Sequence, residues 1–171
     1  MVGQRGSTWL LAGVGAGGVA ERRCTLPEGK DLFFPAINQI SVSTPNVCEL
    51  GPEPSSVKEL RATSAPIINN VSDLEVTLDG RPVHHLRRIQ SVVFEATLPE
   101  DNLFDASCAD RGGFPAGVYS PAVDDGIYAF LEPLHVGTHR LHIHAASKTA
   151  DGTPFVQDVT YILTVVPVTL K

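Results

Sequence analysis

The sequence predicts an all-β fold: an antiparallel β-sandwich, jelly-roll or immunoglobulin-like, with one short helix around residues 56–71. The first observation behind this is the stretch 126–166, which reads as two hairpins in succession. Ile127 to Leu131 is a β-rich run, residues 133–138 turn it, 139–145 return, and Asp151-Gly152 turns the chain again into Phe155 to Val166. Asp-Gly between alternating apolar runs is a strong hairpin signal, because both turn residues must accept a positive φ. The second is period-two alternation. Phe155, Val159, Tyr161, Leu163 and Val165 share one face, and Asp158, Thr160 and Thr164 the other. The third is that turn signals recur along the whole chain while a single segment carries helical spacing.

Taken in order, residues 7–12 are the first strand, 13–18 a Gly-rich turn and 19–25 the second strand. Arg5, the apolar run from Trp9 and the small residues up to Ala20 also mimic a short signal peptide, but a buried strand entering a turn is the better reading. Gly13, Gly15 and Gly18 match G-x-G-x-x-G. Dinucleotide binding needs a helix N-terminus behind such glycines, and here β-favouring Cys24-Thr25 and then Pro27 follow. A turn is expected instead. Residues 31–38 form a strongly apolar strand, and 45–54 a polar loop holding Cys48. Ser56 with Glu59 is a capping box, and Val57, Leu60, Ser64, Ile67, Ile68 and Val71 give a helical stripe to bury. Pro66 lacks an N–H and is expected to kink or end that helix. Residues 74–78 alternate into Asp79-Gly80, 82–86 pair back, and 92–98 make another half-buried strand.

At 171 residues a single domain, 1–171, is expected. Nineteen acidic residues against 13 basic ones give a net charge of −6. The basic residues cluster no further than Arg22-Arg23 and Arg87-Arg88, which excludes a nucleic-acid face. No run reaches the roughly 18–20 apolar residues of a membrane helix. Cys24, Cys48 and Cys108 make an odd count without C-x-x-C. One bridge plus a left-over thiol and three separate thiols are both allowed; Cys24 with Cys48 is the candidate bridge.

Residues 99–125 lack periodicity and form a long acidic loop. Glu100, Asp101, Asp105, Asp110, Asp124 and Asp125 stand there against Arg111 alone. Loops of that length inside a domain are uncommon, and are usually functional or disordered. Carboxylates and carbonyls are the ligands Ca²⁺ takes, but EF-hand spacing is absent and a solvated loop is the simpler reading. Phe114 and Tyr119 in this loop are the aromatics available to stack on a sugar ring, with Asp124 and Asp125 as polar partners. His142 and His144 form H-x-H on a strand, an arrangement that offers two imidazoles to one transition metal. Arg140 shares their face and spacing supplies no third ligand, so a solvated face is the base reading. His139 has the opposite parity and is expected at the core edge or on a turn. No nucleophile motif such as G-x-S-x-G is present.

Trp9-Leu10-Leu11-Ala12-Gly13, the segment from Cys24 through Pro27, Gly29-Lys30 and Leu32-Phe33-Phe34-Pro35 to Asn38, and Asp79-Gly80-Arg81-Pro82 form a pattern. Residues 117–123, Asp125-Gly126, Pro133-Leu134, Gly137-Thr138-His139 and His142 extend it. The pattern resembles a group of secreted bacterial β-rich proteins without an assigned activity. That resemblance implies an exported β-rich domain, with a leader and further sequence ahead of the Trp9 motif; it brings no catalytic residues. The resulting expectation is a secreted, non-catalytic module that binds an extracellular ligand or glycan through residues 99–125. The alternative is a metal-dependent enzyme built on His142 and His144, and a purely structural envelope domain is a third.

Overall fold

A computed structural model describes residues 4, 6–15, 17–102, 104–105, 109–110 and 113–168. Its elements are β1 (Thr8–Leu10), β2 (Gly18–Pro27), β3 (Asp31–Val42), α1 (Val57–Asn69), β4 (Asp73–Leu78), β5 (Arg81–Pro82), β6 (Leu86–Gln90), β7 (Phe94–Leu98), β8 (Gly117–Leu131), β9 (Gly137–Lys148) and β10 (Pro154–Val166). The all-β class holds. One sheet has the order β1-β3-β8-β6, with β7 also paired to β8, and the other β2-β10-β9-β4-β5. Both sheets are mixed rather than antiparallel, because β1 lies parallel to β3 and β2 parallel to β10. Contacts divide the chain into one unit of residues 1–38, 67–89 and 126–171 and another of residues 39–66 and 90–125.

The first unit is a sandwich. Leu32, Phe34 and Ala129 of the first sheet share a core with Leu26, Leu141, Ile143, Val159 and Leu163 of the second. Each large aliphatic side chain removed from water there contributes about 1.5–3 kcal/mol. The alternation read from the sequence is realised on β9 and β10. Leu141, Ile143 and Ala145 are buried, as are Val159, Tyr161, Leu163 and Val165. Gln157 is also buried, and its amide donates to the Ala36 carbonyl on β3, tying one sheet to the other. Ile67 and Ile68 of α1 join Ile37 and Ala145 in a second apolar cluster.

The turns differ from each other in a way the dipeptide Asp-Gly does not reveal. Asp79 (φ 51°) and Gly80 (φ 75°) are both left-handed, which is the tight two-residue hairpin between β4 and β5. At 149–153 only Gly152 has a positive φ, of 87°. Asp151 there uses its carboxylate to accept from the Thr149 hydroxyl and the Thr153 N–H. The Gly-rich segment leads into the ten-residue strand β2, not a helix, so the dinucleotide pattern has no helix N-terminus to work with.

In the second unit, Ser56 caps α1. Its N–H donates to Glu59 Oε2 at 2.7 Å, and the Glu59 N–H donates to Ser56 Oγ at 3.3 Å. These bonds hold the Glu59 carboxyl below its ordinary range. Pro66 lies inside the helix, which runs on to Asn69 rather than ending. Ser64 donates to Ser41 Oγ at 2.8 Å, and Arg61 donates to the Ser91 carbonyl at 2.8 Å. The loop expected over 99–125 is shorter: β8 begins at Gly117, and residues 117–122 pair with β7.

Candidate functional site

Strand geometry decides which aromatics are available. On β3, Phe34 is fully buried, so its neighbour Phe33 must face outward. On β8, Ala129 is buried and Tyr128 and Phe130 take the opposite face. Adjacent strands bring Phe33 and Tyr128 into a parallel stack, with ring centroids 5.1 Å apart and 7° between planes. They line a groove of about 530 Å³ on the outer face of the first sheet, together with Ile89, Arg87 and Phe130. Phe130 is 52% exposed and Ile89 43%. Large apolar side chains left in water beside a groove mark binding surfaces more often than core. His85 and Leu131 also line a second depression of about 290 Å³, made with Arg81, Pro82, Val83 and His84.

The sequence contained the signal for this groove. Two consecutive aromatics in one strand, Phe33-Phe34, cannot both point inward, and Tyr128 and Phe130 flank an alanine that does.

His142 and His144 lie where strand parity places them, on the outer face of β9 and about a quarter exposed. Register sets Asp158 of β10 opposite His144. His142 Nε2 is 3.0 Å from Asp158 Oδ1, and His144 Nδ1 is 3.2 Å from Oδ2. An ionised carboxylate only accepts, so a hydrogen bond to it requires a proton on the facing nitrogen. Burial alone would raise the Asp158 carboxyl; the hydrogen bonds and charge of the two imidazoles outweigh it and hold it below its usual range. Asp73 Oδ2 stands 3.8 Å from His144 Nε2. The facing nitrogens are thus engaged by a carboxylate, and among the described residues no group of three or more His, Cys, Asp or Glu is placed to hold a metal ion.

His139 is a residue of β9 whose ring bonds the Asp79 turn, the second of the two placements expected for it. Its Nδ1 lies 2.7 Å from Asp79 Oδ2, and the Arg140 N–H donates to Asp79 Oδ1 at 2.8 Å. The Asp79 bond raises the His139 pKa above its ordinary value against the opposing effect of burial. Burial would raise Asp79, but His139 and the Arg140 N–H hold it low.

Of the residues expected in the long loop, Phe114 and Tyr119 do meet, with centroids 5.1 Å apart, and Phe104 lies tilted against Phe114 at 5.3 Å. Tyr119 is on β8, and its hydroxyl donates to the Pro115 carbonyl at 2.6 Å. Asp124 and Asp125 are strand residues as well. Asp125 is buried and accepts from Gln90 Nε2 at 2.9 Å; the Asp124 N–H donates to Ser91 Oγ at 2.8 Å. Asp105 accepts from the Phe114 N–H at 2.9 Å. The aromatic pair packs on itself, and Asp125 is buried on Gln90.

The candidate Cys24–Cys48 bridge is not formed. Cys24 is a free thiol packed against the sandwich core, while Cys48 is disulfide-bonded. Cys24 lies on β2, where its side chain takes the inward-leaning parity next to Leu26. Cys108 and Arg111 lie outside the described residues. No helix among the described residues is long and apolar enough to cross a membrane. Comparison of the chain with protein-family models, with curated proteins and with solved structures yields no match.

Proposed function

We propose that the chain is an exported, non-catalytic binding module that takes a carbohydrate on the outer face of its first sheet. The observation that carries this reading is the groove bearing the stacked Phe33–Tyr128 pair and the half-exposed Phe130. A sugar ring presents apolar C–H faces that pack on aromatic rings and hydroxyls that need polar side chains at the rim. Arg87, His85 and Glu132 supply such a rim. The site rests on strands, which hold side chains more rigidly than a loop does, so little ordering opposes binding. A disulfide at Cys48 supports export, since such bonds persist in oxidising compartments and are rare in the cytosol. This reading moves the site from residues 99–125 to the groove.

The test is a saccharide-binding screen with purified protein, followed by titration of the best ligand against Phe130→Ala. Phe130 is half in water, so its removal should leave the melting midpoint within about 2 °C. Affinity is expected to fall about tenfold, the equivalent of about 1.4 kcal/mol. Saccharide binding that Phe130→Ala leaves unchanged would refute the location, and a screen without any binding would refute the function.

A further inference from the structure

The groove and the smaller depression have His85 and Leu131 in common in their linings, and are read together as one surface. Its polar lining is unbalanced. Arg81, His84, His85 and Arg87 stand along it against one carboxylate, Glu132. None of these four basic side chains makes a hydrogen bond or ion pair with any described residue, whereas Arg22, Arg61, Arg88 and Arg140 all do. Asp79, two positions from Arg81, feels the Arg81 charge without a hydrogen bond or ion pair to it, and its oxygens are taken by His139 and the Arg140 N–H. A chain whose net charge is −6 thus gathers, at its aromatic groove, nitrogen donors that have no hydrogen-bond partner among the described residues.

We infer that the ligand of this groove is an acidic saccharide, with sugar rings on Phe33, Tyr128 and Phe130 and an oxyanion held by Arg81 and Arg87. The inference rests on the binding reading above and narrows it. A guanidinium presents a planar fork of N–H donors that matches a carboxylate or sulfate oxygen pair, and pairing is strongest where the donor has no internal partner. Neutral sugars would leave the two guanidinium groups without a counter-charge. Uronate and sulfate ester share the required chemistry.

The experiment titrates wild-type protein with an oligogalacturonate, a sulfated oligosaccharide and a neutral galactan fragment of equal length, at low and high salt. The expected result is at least tenfold tighter binding of one anionic ligand than of the neutral one, weakening as salt rises. The Arg81→Gln/Arg87→Gln variant should lose that preference while keeping its melting midpoint, and Phe130→Ala should weaken binding of the same ligand. The uronate and sulfate arms tell which oxyanion the fork accepts. Equal affinity for neutral and acidic fragments would overturn the inference and leave the carbohydrate reading standing. So would an anionic preference that survives in the double variant. Absence of binding to all three ligands in this assay and throughout the wider screen would overturn both.

Discussion

Gly126→Ala tests whether β8 approaches β3 as closely as the structure places it. A Cβ added at Gly126 would stand 2.5 Å from Asn38 Cβ, 2.7 Å from Tyr128 Cε2 and 3.0 Å from the Ile37 carbonyl oxygen. Space is what the glycine supplies, since its φ lies outside the left-handed region. The tyrosine ring can swing aside, but Asn38 Cβ and the Ile37 carbonyl move only with β3. Restoring an ordinary carbon–carbon separation of about 3.5–4.0 Å means parting the strands locally by about 1 Å. Overpacking typically costs 1–3 kcal/mol, and two obstacles fixed to backbone place this site near about 3 kcal/mol. For a chain of this length that is a fall in melting midpoint of roughly 6–12 °C, read by circular dichroism or calorimetry. Gly51→Ala is the control, because nothing lies within 4 Å of its added Cβ. A Gly126→Ala midpoint within about 2 °C of that control would refute the strand spacing. Tyr128 is one of the obstacles, so the variant should weaken saccharide binding as well.

Ser56→Ala removes the capping hydroxyl and is expected to lower the midpoint by roughly 2–4 °C, as loss of about 1 kcal/mol would; an unchanged midpoint would contradict the observed cap. The Asp79–His139 pair gives stability a defined pH dependence. His139 is raised in the fold, so its contribution is complete below the ordinary histidine value and fades as pH climbs through the raised one. Asp79 is lowered, so its contribution is present above the ordinary aspartate value and fades as pH drops through the lowered one. Melting between pH 6 and 9 should therefore decline more steeply in the wild type than in Asp79→Asn, which keeps a residue tolerant of the left-handed turn; parallel curves would count against the pair. His142→Ala/His144→Ala should fold, since both side chains face outward, and should remove the acid-side contribution of Asp158. Elemental analysis of dialysed wild-type protein should find no stoichiometric transition metal, and one equivalent of zinc, copper or iron lost in the double variant would favour the metalloenzyme instead.

The parts of the fold that were legible were those written in local pattern. β9 and β10 follow from alternation and a turn signal, and α1 from its capping box, because neighbours in sequence decide both. The first half of β8 was not legible. Pro121 and Asp124-Asp125-Gly126 look like loop, yet Pro121 O accepts from the Ser43 N–H at 2.9 Å and Asp125 is buried on Gln90. Partners distant in sequence override local propensity there. Pro66 was expected to kink or end α1; the helix runs on to Asn69, and burial of Ile67 and Ile68 offsets the missing hydrogen bond. The parallel pairs were hidden for the same reason as β8. The groove was hidden differently: hydrophobicity reports that a residue avoids water, not which face of a sheet it occupies.

The parallel ladder between β2 and β10 also orders events in time. Gly18 is registered with Gln157, 139 positions later, and the match continues to Pro27 with Val166. During synthesis β2 therefore emerges long before the strand that will hold it, and must wait as an unpaired edge. Closing so long a loop adds entropy cost only logarithmically, but it slows folding, because the pairing stabilises nothing until the loop is closed. The β2 edge of the second sheet is therefore completed only after β10 has been made.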